Sequence, residues 1–101
     1  LNKQLGSLEG QAIQFGNMGI VARTRGDLDE AMRLYGEALD LNKQLGRLEG
    51  QAIQLGNMGN VARTRGDLDE AMRLYEQSYE IEKQLGRLEG QAQDLGNMGN
   101  V

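Results

Sequence analysis

The acids of the stretch GDLDE are the side chains of this sequence best spaced for chemistry. Asp27, Asp29 and Glu30 fall together, and Asp67, Asp69 and Glu70 repeat the group one period of 40 residues later. A calcium loop would need a longer run of oxygen ligands, and glycoside chemistry would need two acids facing across a shaped pocket. Asp-x-x-Glu just after a glycine has another use at a helix start. The Asp accepts from free N–H groups as an N-cap, the Glu reaches back from N3, and both acids face the positive helix end. Ser7, Ser78, Thr24, Thr64 and the three tyrosines are the hydroxyl nucleophiles, but the sequence holds no His and no Cys. A hydroxyl nucleophile without a neighbouring base stays unactivated. The glycines of GNMGI at 16–20 and GNMGN at 56–60 suggest a phosphate loop, yet these segments follow no strand and lie inside a helical period. The residues therefore predict neither catalysis nor a cofactor or metal.

Composition narrows the class further. A net charge of −4 argues against a nucleic-acid binder, which needs a basic face. No apolar run is long enough for a membrane span or a signal peptide. Without Cys there is no disulfide framework, and a cytoplasmic protein is the expectation. Proline is absent while glycine occurs 15 times, so glycine must supply the punctuation.

The elements that position these residues come from the period. Residues 1–40 and 41–80 share 32 identities, and 81–101 depart from 41–61 only at 81, 82, 93 and 94. A repeat of this size signals an array in which each unit buries its apolar face on the next. Two helical patterns alternate inside it. Leu48, Ala52, Leu55, Gly59 and Ala62 recur at spacings of four and three, as do Leu28, Ala31, Met32, Tyr35, Ala38, Leu39 and Leu45. Gly26 and Gly66 are placed to end the first pattern, and Gly6, Gly46 and Gly86 the second. The expected layout is the end of one helix over 1–5, then helices over 7–25, 27–45, 47–65, 67–85 and 87–101. In units, this is a repeat over 7–45, a second over 47–85 and the first helix of a third over 87–101. It reads as about two and a half units cut from a longer array. Short connections force neighbouring helices to run antiparallel. Glycine at 19, 59 and 99 predicts close helix approach, and the five methionines read as core filler.

The segment NMGNVARTRGDLDEAMRLYGEAL resembles a tetratricopeptide repeat. The match rests on Gly19, Gly59 and Gly99, then Gly26 and Gly66, Ala31 and Ala71, Tyr35 and Tyr75, and Ala38 and Ser78. The 40-residue unit exceeds the usual length of such repeats. It is similar to the longer repeats of partner-of-Inscuteable-type polarity adaptors and of kinesin light chains. The terminal proline is missing, and Phe15, Leu55 or Leu95, with Ala22 or Ala62, replace the large aromatics of the first helix. The resemblance implies an all-α, right-handed solenoid of helix-turn-helix units and a protein partner. It also implies a concave groove holding an extended or helical peptide, lined by the stripe of Ile13, Gly16, Asn17, Ile20 and Thr24. The later copies of that stripe are Ile53, Gly56, Asn57, Asn60 and Thr64, then Gln93, Gly96, Asn97 and Asn100, with Arg23 and Arg63 at its rim.

The residue types suit that role. Asparagine amides both donate and accept, so a row of them can bond peptide backbone whatever its side chains. Glycine at 16, 56 and 96 leaves room for that backbone, and arginine can clamp a carboxylate. A peptide site of Asn17, Ile20, Arg23, Asn57, Asn60, Arg63, Asn97 and Asn100 is the expectation. The alternative is a structural scaffold, either an array fragment or a consensus-like engineered repeat, in which near-identical units stack head to tail on a second copy.

Overall fold

The chain reverses where a glycine leaves one helix and the next begins a residue or two later. Gly26 and Gly66 sit at φ 82°, and Gly46 and Gly86 at 68° and 69°, a left-handed conformation that only glycine adopts without a Cβ penalty. At the first turn the Gly26 N–H bonds the Arg23 carbonyl and the Asp27 N–H bonds the Ala22 carbonyl, both at 2.9 Å. The same pair of bonds closes the other three turns.

The computed structural model describes residues 2–101, with side chains described from residue 6. Among the described residues there are five helices and no strand: α1 Asn2–Thr24, α2 Leu28–Leu45, α3 Leu48–Thr64, α4 Leu68–Leu85 and α5 Leu88–Gly99. Helices α2, α3 and α4 match the periodic segments to within a residue at each end. Each helix packs chiefly on the next in sequence, α1 on α2 through to α4 on α5, so the molecule is a one-dimensional stack of helical hairpins.

Two corrections concern helix ends. The expected break at Gly6 does not occur, because α1 runs through it from Asn2. The segment expected to close a preceding helix begins at Leu1, which lies outside the described residues. At Gly46 the chain turns because α2 has α3 to pack against. The described residues offer no earlier helix at Gly6, and extending a helix costs less than nucleating a second one. The acidic N-caps are only half realised. Asp27 accepts from the Glu30 N–H at 3.3 Å, whereas Asp67 makes no side-chain cap bond. Neither Glu reaches back to its cap. Glu30 instead takes a forked pair of bonds from Arg33 at 2.6 and 3.0 Å, and Glu70 takes the same from Arg73 at 2.6 and 2.7 Å. The reason is local: the Asp27 and Asp67 N–H groups are already bonded to the Ala22 and Ala62 carbonyls, so nothing remains for a capping box to satisfy.

The core is continuous along the stack. Ala22, Ala31, Leu34, Tyr35 and Val61 form one buried cluster, and Leu39, Leu55, Ala62, Ala71, Leu74 and Tyr75 form the next, with Met32 and Met58 packed against both. Tyr35 and Tyr75 are wholly buried. Their rings close on the backbone of the preceding helix, where a Cβ at Gly19 or Gly59 would come within 2.6 or 2.7 Å of the ring Cε1. The expected close approach at these two glycines is thus a ring on a helix backbone. Gly99 has nothing within 4 Å of its Cβ position, and Met18 is 44% exposed, so neither joins the core as expected. The tyrosine seats are what hold each hairpin in register, and they also decide what the face of the odd-numbered helices presents.

Candidate functional site

The odd-numbered helices α1, α3 and α5 carry the predicted peptide face, one copy per unit. The structure gathers part of it. Asn57, Asn60 and Asn97 line a cavity of about 190 Å³ between α3, α4 and α5, with Gly56 in its wall. Asn57 and Asn97 are half-buried and make no side-chain hydrogen bond among the described residues, so their amides are available. At Gly56 nothing lies within 4 Å of a Cβ position, so the backbone there is open.

Other members of the stripe are committed elsewhere. Asn60 accepts the Tyr75 hydroxyl hydrogen on Oδ1 at 2.5 Å, and Arg63 stands over the Tyr75 ring at 6.0 Å from its centroid, at the edge of cation–π range. Burial pushes the Tyr75 phenol pKa up, while Arg63 and Arg23 oppose the rise; the group stays a protonated donor. Thr24 and Thr64 hydroxyls turn back to their own helices, bonding the Ile20 and Asn60 carbonyls at 2.8 and 3.0 Å. Gly16 is not open, because the Gln54 amide of α3 sits 3.1 Å from its Cβ position. Asn17, Ile20 and Arg23 are exposed on α1, away from the cavity. Asn100 is the C-cap of α5, its N–H bonded to the Gly96 and Asn97 carbonyls, and it is exposed outside the cavity.

The cavity also brings in residues that the stripe argument passes over. Ser78 and Glu82 enter from α4 and Asp94 from α5, and all three are buried. Ser78 donates to the Ala52 carbonyl at 3.2 Å, tying α4 to α3. Burial raises the Asp94 carboxyl above its ordinary range, the Ser78 hydroxyl pulls it back, and the Glu82 charge adds to the rise. One signal in the sequence marks them. Positions 78, 82 and 94 are among the few at which one unit departs from its copy, but their meeting point depends on how α4 and α5 pack.

Ion pairs repeat along one edge. Arg47 of the second unit bonds Glu9 of the first, and Arg87 of the third reaches Glu49 of the second at 3.3 Å. These groups are 41 to 65% exposed, so each contributes at most about 1 kcal/mol and serves mainly to set register. Among the described residues no group of three His, Cys, Asp or Glu converges as a metal site would require, and no helix is long and apolar enough to cross a membrane. A family model described as Tetratricopeptide repeat matches residues 11–84, nearly three quarters of the chain. No curated protein matches the chain.

Proposed function

This chain belongs to the tetratricopeptide repeat family, in general a non-catalytic class of protein-interaction module, and on that premise we propose that it binds an extended or helical peptide along the face of α1, α3 and α5. The observation that carries this reading is the convergence of the Asn57, Asn60 and Asn97 amides on one cavity beside the open backbone of Gly56. Amides at half-buried positions can pair with peptide N–H and C=O groups, and partial desolvation strengthens each bond. Asn57 and Asn97 bear directly on the ligand. Asn60 offers its remaining amide nitrogen, and Arg63 flanks it. Asn17, Ile20, Arg23 and Asn100 extend the contact beyond the cavity. The long repeat, similar to those of polarity adaptors and kinesin light chains, supports the same class of partner, and a cytoplasmic setting fits it.

The test is the double variant Asn57→Ala, Asn97→Ala. A peptide selected on the intact chain from a random 12-residue library should bind it at least about tenfold more weakly, since two backbone-directed bonds of about 1 kcal/mol each are lost. The melting temperature should not move. Full affinity in the variant would reject the assignment.

One observation favours a second reading, self-association. Leu95 on α5 is 53% exposed and Leu88 is 78% exposed, whereas Leu55, which corresponds to Leu95, is only 3% exposed under α4. A second copy laid on α5 would cover this apolar face. Sedimentation equilibrium decides: association with Leu88 and Leu95 intact, abolished by Leu95→Glu, supports stacking, and a monomer at all concentrations excludes it.

A further inference from the structure

We propose that the cavity between α3, α4 and α5 is a subsite for one basic side chain of the bound peptide, with arginine the best fit. The proposal rests on the peptide-binding reading above and names the chemistry of its ligand.

Two buried acids face this cavity, each with one oxygen that no hydrogen bond satisfies. Glu82 and Asp94 are 6% and 5% exposed, both line the cavity, and Oε1 of the first and Oδ2 of the second have no hydrogen bond. Burying an ionised carboxylate without a donor is costly, so these oxygens await one. The nearest cation is Arg87, whose Nε lies 3.7 Å from Glu82 Oε1, beyond hydrogen-bond distance, while its Nη1 is drawn to Glu49. Glu82, Asp94 and Arg87 are the charged groups of the lining, which leaves the cavity net negative.

The preceding junction holds an equivalent cavity of about 150 Å³, lined by Ala12, Ile13, Asn42, Arg47, Ile53 and Gln54 but by no buried acid; sequence change gives the later cavity its acids and its room. One unit earlier the Gln54 side chain fills the space beside Gly16, with its nitrogen 3.1 Å from the Cβ position. Asp94 stands in the equivalent place, is one methylene shorter, and leaves the space beside Gly56 empty to 4 Å. Glu82, which replaces Asn42, lies against Gly90, where any Cβ would collide with its carboxylate. Asn60, Ser78, Glu82, Gln93 and Asp94 all line the cavity, and at each of them a unit differs from its preceding copy. In an array that otherwise repeats almost letter for letter, that many departures on one cavity mark it as a specialised position.

The donor and acceptor pattern selects the ligand. Two carboxylate oxygens and the amide oxygens of Asn57, Asn97 and Gln93 are acceptors set around one volume. A guanidinium brings five N–H donors in a plane and stays charged when desolvated. An ammonium meets the charge but not the spread of acceptors. A carboxylate or phosphate would meet like charge. Two carboxylates fall short of the set a bare metal ion takes among the described residues.

The experiment is selection from a phage-displayed random 12-residue library on the full chain and on the variant Glu82→Asn, Asp94→Gln. Both replacements are the residues that the preceding junction carries at the equivalent positions, Asn42 and Gln54. Peptides enriched on the wild type should share an arginine or lysine at one position. Replacing that arginine by citrulline in the synthetic peptide should weaken binding at least about tenfold, as expected for loss of a charge-assisted pair; this arm needs no protein variant. The double variant should lose the basic preference. Enriched peptides with no shared basic position, or an unchanged preference on the variant, would overturn the subsite while leaving the peptide face standing. No enrichment on the wild type would overturn both. Enrichment indifferent to Asn57→Ala, Asn97→Ala would reject the amide row and leave the subsite to be judged by citrulline and the double variant.

Discussion

Tyr75 donates its hydroxyl hydrogen to Asn60 at 2.5 Å, while Tyr35, its counterpart one unit earlier and equally buried, has no acceptor because Ile20 stands where Asn60 stands. Burial raises the Tyr35 phenol pKa, and Arg23 opposes the rise by its charge and as a donor, but an arginine cannot accept the phenol hydrogen. The one difference between the two copies of GNMG-x-VARTRGDLDEAM is therefore an internal matter first, the presence or absence of a phenol acceptor. It bears on the proposed peptide face only second.

Ile20→Asn should stabilise the chain. It supplies the acceptor Tyr35 lacks, a net gain of about 1 kcal/mol, and gives up little burial because Ile20 is 52% exposed. Asn60→Ile should destabilise by about 1–3 kcal/mol, the cost of orphaning a buried hydroxyl. Urea unfolding midpoints read both. An Ile20→Asn midpoint at or below wild type would mean that the phenol is not short of a partner.

Gly59→Ala and Gly36→Ala should move stability in opposite directions. Both lie within helices, where alanine is favoured over glycine by about 1 kcal/mol. At Gly36 nothing lies within 4 Å of the added Cβ, so that gain appears in full. At Gly59 the Cβ would stand 2.7 Å from Tyr75 Cε1 and 2.8 Å from Cδ1, and the ring belongs to a wholly buried side chain that cannot yield. Overpacking of this kind costs about 1–3 kcal/mol, so the net change should be a loss. Two parallel gains would mean that the tyrosine seat is not tight.

Asp94 makes stability depend on pH with a particular sign. Its pKa is raised in the fold by burial first, so between its ordinary 3.8 and that higher value the folded chain holds a proton the unfolded chain has released. The contribution is fully present below the unfolded pKa and is lost as pH rises through the folded one. Glu70 works oppositely: hydrogen bonding from Arg73 lowers its pKa, so its contribution is present above its ordinary pKa and fades as pH falls. Asp94→Gln should therefore gain on wild type as pH climbs from acid toward neutral. Thermal melts of both chains across that range test it, and a pH-independent difference would remove Asp94 as the source.

Much of the architecture was legible because it is written locally. Four glycines at helix ends adopt the left-handed conformation that their positions demand, and α2, α3 and α4 follow the apolar period. The close approach at Gly19 and Gly59 was legible too, since a glycine recurring mid-helix at its cost in propensity implies a neighbour. The proposed peptide face was only partly so. Helical spacing set Asn57 and Asn60 on one face and Asn97 on another helix, but it could not show that Tyr75 would claim one amide or that Gln54 would fill the room at Gly16.

What the sequence determined by itself is whatever a few neighbouring residues decide: the period, the helix type, the turns and the family. Backbone torsions answer to local sterics, and these are complete within a turn of chain. Tertiary structure alone decided which polar groups of different helices meet. Whether position 20 or 60 serves a phenol, why Gly6 does not turn while Gly46 does, and how Glu82 and Asp94 come to face one cavity all depend on how separate helices lie against each other. Side-chain partnership is a relation across helices, set by the distance between two backbones.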